Sequence, residues 1–332
     1  MIMDKEKEFL QVISLIRAAK EKAFLAVNTL LIDVYWTIGK YISRKIQRAE
    51  WGESVVQDLA RFMAEKCPDL GGYSHQNLWR MKQFYEAYSH DKKLSPLVRE
   101  LSWTHNMIIL ARTKSWEERE FYLRLSITEH YSKRELERQL DSGYFERSMI
   151  STKKLSPVVR QTRPELAKVF RDTYVFDFLS LPAGHSERDL QSALMKNFKQ
   201  FILEFGKDFA FIGEGYKLQV GNNDYFLDLL FFHRGLQCLV VFELKIDDFK
   251  PEFLGKLNFY LEALDRNVKK KHENPSVGVI LCKSKDDEVV EYALSRNLSP
   301  ALVSEYKTRL IDKKILQRKL QELYLLSSGG KD

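Results

Sequence analysis

Apolar side chains recur at helical spacing through the first fifty residues: Phe9, Ile13 and Ile16, then Leu25, Leu30, Ile32, Tyr35, Trp36, Ile38 and Ile42. The stripe predicts one long amphipathic helix from Lys5 to about Arg48, or two with a break near Asn28. Packing into a bundle is the ordinary use of such a stripe, and contact with a second copy is the sharper one. Glu53–Lys66 reads as a further helix, stopped by Cys67-Pro68-Asp69-Leu70-Gly71-Gly72. Ser74 is placed to cap SHQNLWRMKQFYEAY, whose buried face is Leu78, Met81, Phe84, Tyr85 and Tyr88. Helices over Ser102–Ala111 and Trp116–His130 follow. Ser115 with Glu118 and Ser132 with Glu135 have capping-box spacing.

The pattern changes after Gly143. SMISTKKLSPVVRQTRP, ending at Pro164, is basic, broken by proline and without period, so it reads as a linker. Beyond it, Ser186 with Asp189 opens a helix striped by Leu190, Leu194, Phe198, Phe201 and Ile202. Strand signals follow at Phe209–Gly213 and Tyr216–Val220. Gly221-Asn222-Asn223-Asp224 turns the chain into a hairpin of Tyr225–Phe232 and Cys238–Leu244. Phe253–Leu264 reads as a helix. Val277–Cys282 is a short apolar run suited to a strand covered on both faces. Two more helices are expected at about Asp286–Ser295 and Asp312–Leu326. The expected molecule is mixed α+β: an all-α domain over 1–145, a linker over 146–164 and an α+β domain over 165–332.

Three charged residues interrupt the apolar hairpin: Asp228, Glu243 and Lys245. An ionisable group in a buried strand is unfavourable unless it is paired or binds a metal. With a two-residue turn centred on Arg234-Gly235, Asp228 faces Val241, and Glu243 is its diagonal neighbour on the same face. Lys245 lies one pleat further along that face. Two carboxylates so placed can hold one Mg²⁺, a hard cation that takes oxygen ligands. An odd-length turn would put them on opposite faces.

Leu227-Asp228, a 14-residue gap and Glu243-Leu244-Lys245 resemble the PD-(D/E)xK nuclease superfamily, with Leu227 in place of its proline. FILEFGKDFAFIG, the hairpin, FKPEFLGKLNFYLEALD and ENPSVGVILCKSK resemble the YhcG-type nuclease family, and the likeness extends over nearly the whole chain. The resemblance implies a restriction-endonuclease-like αβββαβ core and Mg²⁺-dependent hydrolysis of DNA, with Mn²⁺ suited to the same oxygen site. Asp228, Glu243 and the Leu244 carbonyl would bind the metal. Lys245 would position water and stabilise developing charge, as general base or as electrostatic clamp. It also implies an assisting acid on the preceding helix, for which Glu187 and Glu204 compete. Glu187 is favoured by its early position, although a carboxylate there also simply suits a helix N-terminus. Lys256 and Asn258 fall where related nucleases hold substrate or water, with Asn258 in place of a Gln. The resemblance further implies that the N-terminal domain binds DNA.

Charge and composition add to this only modestly. At 332 residues, 44% hydrophobic and 30% charged, the chain is an ordinary globular composition with room for two cores. A net charge of +7 suits a polyanion partner without requiring one. Glu53–Lys66 and the helix after Ser74 are spaced like a helix-turn-helix, in which His75, Gln76 and Arg80 would meet base edges. A helical hairpin with a solvated face is the plainer reading. Cys67, Cys238 and Cys282 are odd in number and widely spaced, which argues for buried thiols rather than disulfides or a metal site. MIMDKEKEF is unlike a signal peptide and no apolar run is long enough to span a bilayer, so the cytoplasm is expected. The long first helix, and the use of paired active sites on two strands, suggest a homodimer. The alternative to an enzyme is an inactive nuclease fold, its charges paired off, that grips nucleic acid.

Overall fold

The computed structural model describes residues 2–91, 93–150, 155–182 and 184–328, and the chain divides into two compact units at Arg138/Gln139. The side chain of Phe9 lies outside those described.

The first unit is helical. It contains α1 (Ile2–Gln47), α2 (Glu53–Lys66), α3 (His75–Tyr88), α4 (Leu94–Leu97), α5 (Trp103–Arg112) and α6 (Trp116–Thr128), and the division falls inside α7 (Lys133–Asp141). α1 runs unbroken through Asn28. The Asn28 side chain donates to the Leu101 carbonyl at 2.9 Å, so this residue serves a tertiary contact and ends no helix. Packing of α1 along α3 requires Gly39, because a Cβ there would lie 2.1 Å from the Met81 carbonyl oxygen. Trp36 meets Phe84 and Tyr85 edge-on across this seam. Ser74 caps α3 through the Asn77 amide, and Leu78, Met81, Phe84 and Tyr88 are its buried face.

The second unit is a six-stranded mixed sheet of order β1-β6-β5-β4-β3-β2. Its strands are β1 (Thr173–Val175), β2 (Phe209–Val220), β3 (Asn223–His233), β4 (Cys238–Leu244), β5 (Asn274–Cys282) and β6 (Ala301–Lys307). β2, β3 and β4 form an antiparallel meander, and β4, β5, β6 and β1 run parallel. β1 and β6 are additions to the expected set. Ala301–Lys307 finds its place only by pairing on β5, information that lies outside its own seven residues. The two strands expected at Phe209–Gly213 and Tyr216–Val220 are one strand with a bulge between Phe211 and Gly213.

Helices cover both faces. α8 (Tyr144–Ile150), α9 (Pro157–Thr162), α10 (Leu166–Val169), α11 (Glu187–Lys196) and α12 (Phe198–Phe205) precede β2; α13 (Phe253–Asn267) links β4 to β5; α14 (Asp287–Leu294) links β5 to β6; α15 (Lys313–Ser328) follows. One core gathers Leu190, Leu194, Phe201, Phe205, Phe231 and Phe242, and the other gathers Leu230, Val241, Leu257, Leu261, Ile280 and Val290. All seven residues of β4 are buried, as a central strand requires. In the stretch read as linker, Leu155 and Val159 are packed in the first of these cores, and residues 151–154 lie outside those described. The helix opened by Ser186 has the expected capping box with Asp189 but breaks at Asn197, whose side chain turns back to the Ala193 carbonyl. No helix among the described residues is long and apolar enough to cross a membrane.

Candidate active site

The site forms where β3 and β4 part. Their turn is longer than the two-residue one expected. His233 pairs with Cys238 and Leu229 with Phe242, which leaves Arg234–Gln237 as a four-residue turn. The extra length has local causes. The Leu236 amide donates to His233 Nδ1 at 2.9 Å, Gln237 adopts a positive φ of 48°, and the Arg234 amide is held by the Asp208 carbonyl. The register is therefore two residues from the expected one. Extended beyond Leu229, it puts Asp228 directly opposite Glu243 rather than diagonal to it. A shift of two preserves the face, so the even parity of the turn is what matters.

Regular pairing of β3 with β4 ends at Leu229. By strict alternation Leu227 and Leu229 would share a face, yet Leu229 packs in the core with α12 and Leu227 in the core with α13. β3 thus breaks its alternation at Asp228, and side chains serve the backbone there. The Leu244 amide donates to Asp228 Oδ2 at 2.7 Å. Gln191 Nε2 of α11 donates to the Asp228 carbonyl at 2.7 Å, and Tyr260 Oη of α13 to the Phe226 carbonyl at 3.1 Å.

Charges converge on this opening from four elements, β3, β4, α11 and α13. Glu243 is fully buried on β4. Its Oε1 accepts from Lys256 Nζ of α13 and lies 3.3 Å from Lys245 Nζ, while its Oε2 is buried without a hydrogen-bond partner. Lys245 Nζ also donates to both carboxylate oxygens of Glu187, at 3.0 and 3.1 Å, and to the Leu244 carbonyl at 2.9 Å. Burial, and next the charge of Glu243, push the Asp228 carboxyl up to about 6, against the pull of the Leu244 amide and the two lysines. Burial works against the Lys256 ammonium, but the hydrogen bond to Glu243 and the charge behind it outweigh that effect and raise its pKa.

Asp228, Glu243, Lys245, Glu187, the Leu244 carbonyl and Lys256 are thus brought together. The other candidates lie elsewhere. Glu204 is fully buried beneath the sheet, where its Oε1 accepts from Arg171 at 2.9 Å, Arg147 at 3.3 Å and the Val175 amide at 3.0 Å. Asn258 donates to Asn297 at 2.9 Å. His75, Gln76 and Arg80 belong to α3 in the first unit. There His75 Nε2 accepts from Trp79, and Gln76 and Arg80 are exposed. Gln191 was not anticipated. Its signal is its spacing, one turn after Glu187 on the same face of α11. A hollow of about 490 Å³ runs along this helix, walled by Arg188, Gln191 and Lys196 and floored by Glu214 and Gly215.

The donor set fits a hard divalent cation. It offers two carboxylates and a main-chain carbonyl, all oxygen, and the orphaned Glu243 Oε2 lacks the partner that a buried carboxylate oxygen requires. Among the described residues no three His, Cys, Asp or Glu side chains cluster as a metal cage. A Mg²⁺ ion held here would rely on one or two carboxylates with water completing its shell.

Comparison with known proteins gives two family matches along the chain. Residues 167–321 match the YhcG PDDEXK nuclease domain, and residues 11–147 match the DUF1016 N-terminal domain. The YhcG protein of Escherichia coli (strain K12) is 30% identical over 346 aligned positions, which cover 93% of this chain and 92% of that one. Among solved structures, a repair endonuclease from Pyrococcus abyssi aligns with 39% of this chain and 48% of its own, at 14% identity and a TM-score of 0.26. By its identity to that relative along nearly the whole of both chains, and by the nuclease domain it matches around Asp228 and Glu243, the chain belongs to the YhcG family of PDDEXK nucleases.

Proposed function

We propose that the second unit is a Mg²⁺-dependent endodeoxyribonuclease of the cytoplasm, hydrolysing DNA phosphodiester bonds at the opening between β3 and β4. The observation that carries this reading is the meeting of Asp228, Glu243 and Lys245 at one strand separation, with Glu243 Oε2 buried and unpartnered. Asp228, Glu243 and the Leu244 carbonyl would hold the metal, with Mn²⁺ able to replace Mg²⁺. When bound, the metal supplies Lewis-acid polarisation of the phosphate and an acidified water.

The protein's own groups do the rest. The Leu244 amide fixes the Asp228 carboxylate, and the Gln191 amide fixes the backbone behind it. Glu187 holds Lys245 from the far side, so the ammonium stays beside the carboxylates and faces the phosphate as a donor. There it orients water and stabilises charge that develops on the phosphoryl oxygens. The Lys256 side chain is half-exposed and can turn from Glu243 to an incoming phosphate. In the first unit, exposed Gln76 and Arg80 near the start of α3 contact DNA.

Supercoiled plasmid and Mg²⁺ test this reading. The purified protein should nick or linearise the plasmid, and Asp228→Ala and Lys245→Ala should each be at least about a hundredfold slower. Equal cutting by all three would assign the activity to a contaminant. One observation favours a second reading: Lys256 and Lys245 already neutralise Glu243 Oε1, as they would in an inactive fold that only grips DNA. Binding that persists in EDTA and never leads to cleavage would select it.

A further inference from the structure

We infer that α1 is a dimerisation helix whose exposed seam is covered by α1 of a second copy of this chain. Starting at Ile13, positions three and four residues apart run down one side of the helix: Ile13, Ile16, Lys20, Ala23, Val27, Leu30, Val34, Thr37 and Tyr41. Every one of them is exposed. They are the a and d positions of four consecutive heptads, and seven of the nine are apolar. On the opposite side of the helix, at heptad position f, Ile32 and Gly39 are buried, Gly39 against Met81 of α3, while Ala18 and Leu25 nearer the N-terminus are exposed. The contact within the unit is therefore satisfied by one face, and the heptad seam is a second face that it leaves open.

The period decides what kind of surface can cover it. A repeat of 3.5 residues keeps facing its partner only if the partner is another helix winding with it, each side chain entering a hole of the facing helix. Four heptads span about 42 Å, a length that a loop or a sheet edge cannot follow in register. A seam built on one face of one helix is complementary to itself, which is the condition for a twofold interface. The residue types favour two strands over three or four, with β-branched Ile13, Val27 and Val34 at a and Leu30 at d.

The apolar area comes close to that of a standard homodimer interface. Val27 and Leu30 are each 66% exposed, and Ile13, Ile16, Val34 and Tyr41, with flanking Val12 and Leu31, range from 38% to 54%. A full aliphatic side chain contributes roughly 100 Å² of apolar surface, so these offer roughly 400 Å² per copy before the alanines are added. A standard interface buries about 800 Å² per partner, of which about 500 Å² is apolar in homodimers. A patch of roughly 400 Å² ranks with the largest that monomers leave in water, and such patches are often functional.

Light scattering on the full chain, with sedimentation as a second measure of mass, tests the inference without reference to catalysis. The wild type should show twice 39.1 kDa. The double variant Val27→Glu, Leu30→Glu should return to a single chain with unchanged circular dichroism, because both side chains are exposed within the unit. Leu25→Glu, exposed but on the opposite side of α1, should leave the dimer intact and shows whether any added charge on this helix acts alike. A wild type that stays at the mass of one chain over a wide concentration range overturns the inference, as does a mass above two chains. Equal dissociation by Leu25→Glu, or no dissociation by the double variant, overturns it too.

Discussion

Asp228 carries its charge at a cost to the folded protein. Burial, and next the charge of Glu243, push its carboxyl from 3.8 up to about 6. Folded protein therefore binds this proton more tightly than unfolded protein. The resulting stabilisation is complete below about pH 3.8 and is lost as pH rises through 6, amounting to at most about 3 kcal/mol. Asp228→Asn keeps an acceptor for the Leu244 amide and has no charge to bury. Its melting temperature should match the wild type near pH 4 and exceed it by several degrees above pH 7, as thermal denaturation across that range will show. Cation binding by the wild type should weaken below pH 6 as the ligand protonates. A melting difference that is the same at both pH values would mean that Asp228 carries no strained charge. Lys245 answers a similar logic through its contacts: held by Glu187, Glu243 and the Leu244 carbonyl, it is fixed in position before any substrate arrives.

Elements decide which acid helps which site. Glu187 and Glu204 competed on what read as a single helix, with Glu187 favoured by its early position. The break at Asn197 separates them, leaving Glu187 in the first turn of α11 and Glu204 in α12. Glu204 instead joins Arg147 of α8 and Arg171 ahead of β1, all nearly or fully buried. Removing one charge from such a group leaves the others buried and unmatched. Glu204→Gln should lose about 3–5 kcal/mol of stability by denaturant titration, without changing the contacts around Asp228. A loss under about 1 kcal/mol would show that the arginines find other partners. The β3–β4 turn shows the same scale at work. The strands were legible from their aromatic and aliphatic runs, whereas the turn length was not, because His233, Gln237 and Asp208 set it through contacts that composition does not encode. Only its even parity had to be right for Asp228 and Glu243 to meet.

Across the whole molecule, two units of different kind share one chain, helical before Arg138 and built on a mixed sheet after it. If α3 contacts DNA, Arg80→Ala should weaken binding of every duplex similarly and lower the slope of log affinity against log salt by about one. An unchanged slope in a fluorescence titration would remove Arg80 from the contact. The sequence by itself determined the helical first half, the meander of three strands and the trio Asp228, Glu243 and Lys245, because periodicity and misplaced charge are local properties of the chain. Tertiary structure alone decided that Glu204 is taken up by Arg147 and Arg171 while Glu187 meets Lys245, that Gln191 supports Asp228, that Lys256 pairs with Glu243 while Asn258 bonds Asn297, and that β6 joins the sheet between β5 and β1. Each of these depends on how far two distant segments are brought together, a quantity fixed by packing and absent from any single stretch of sequence.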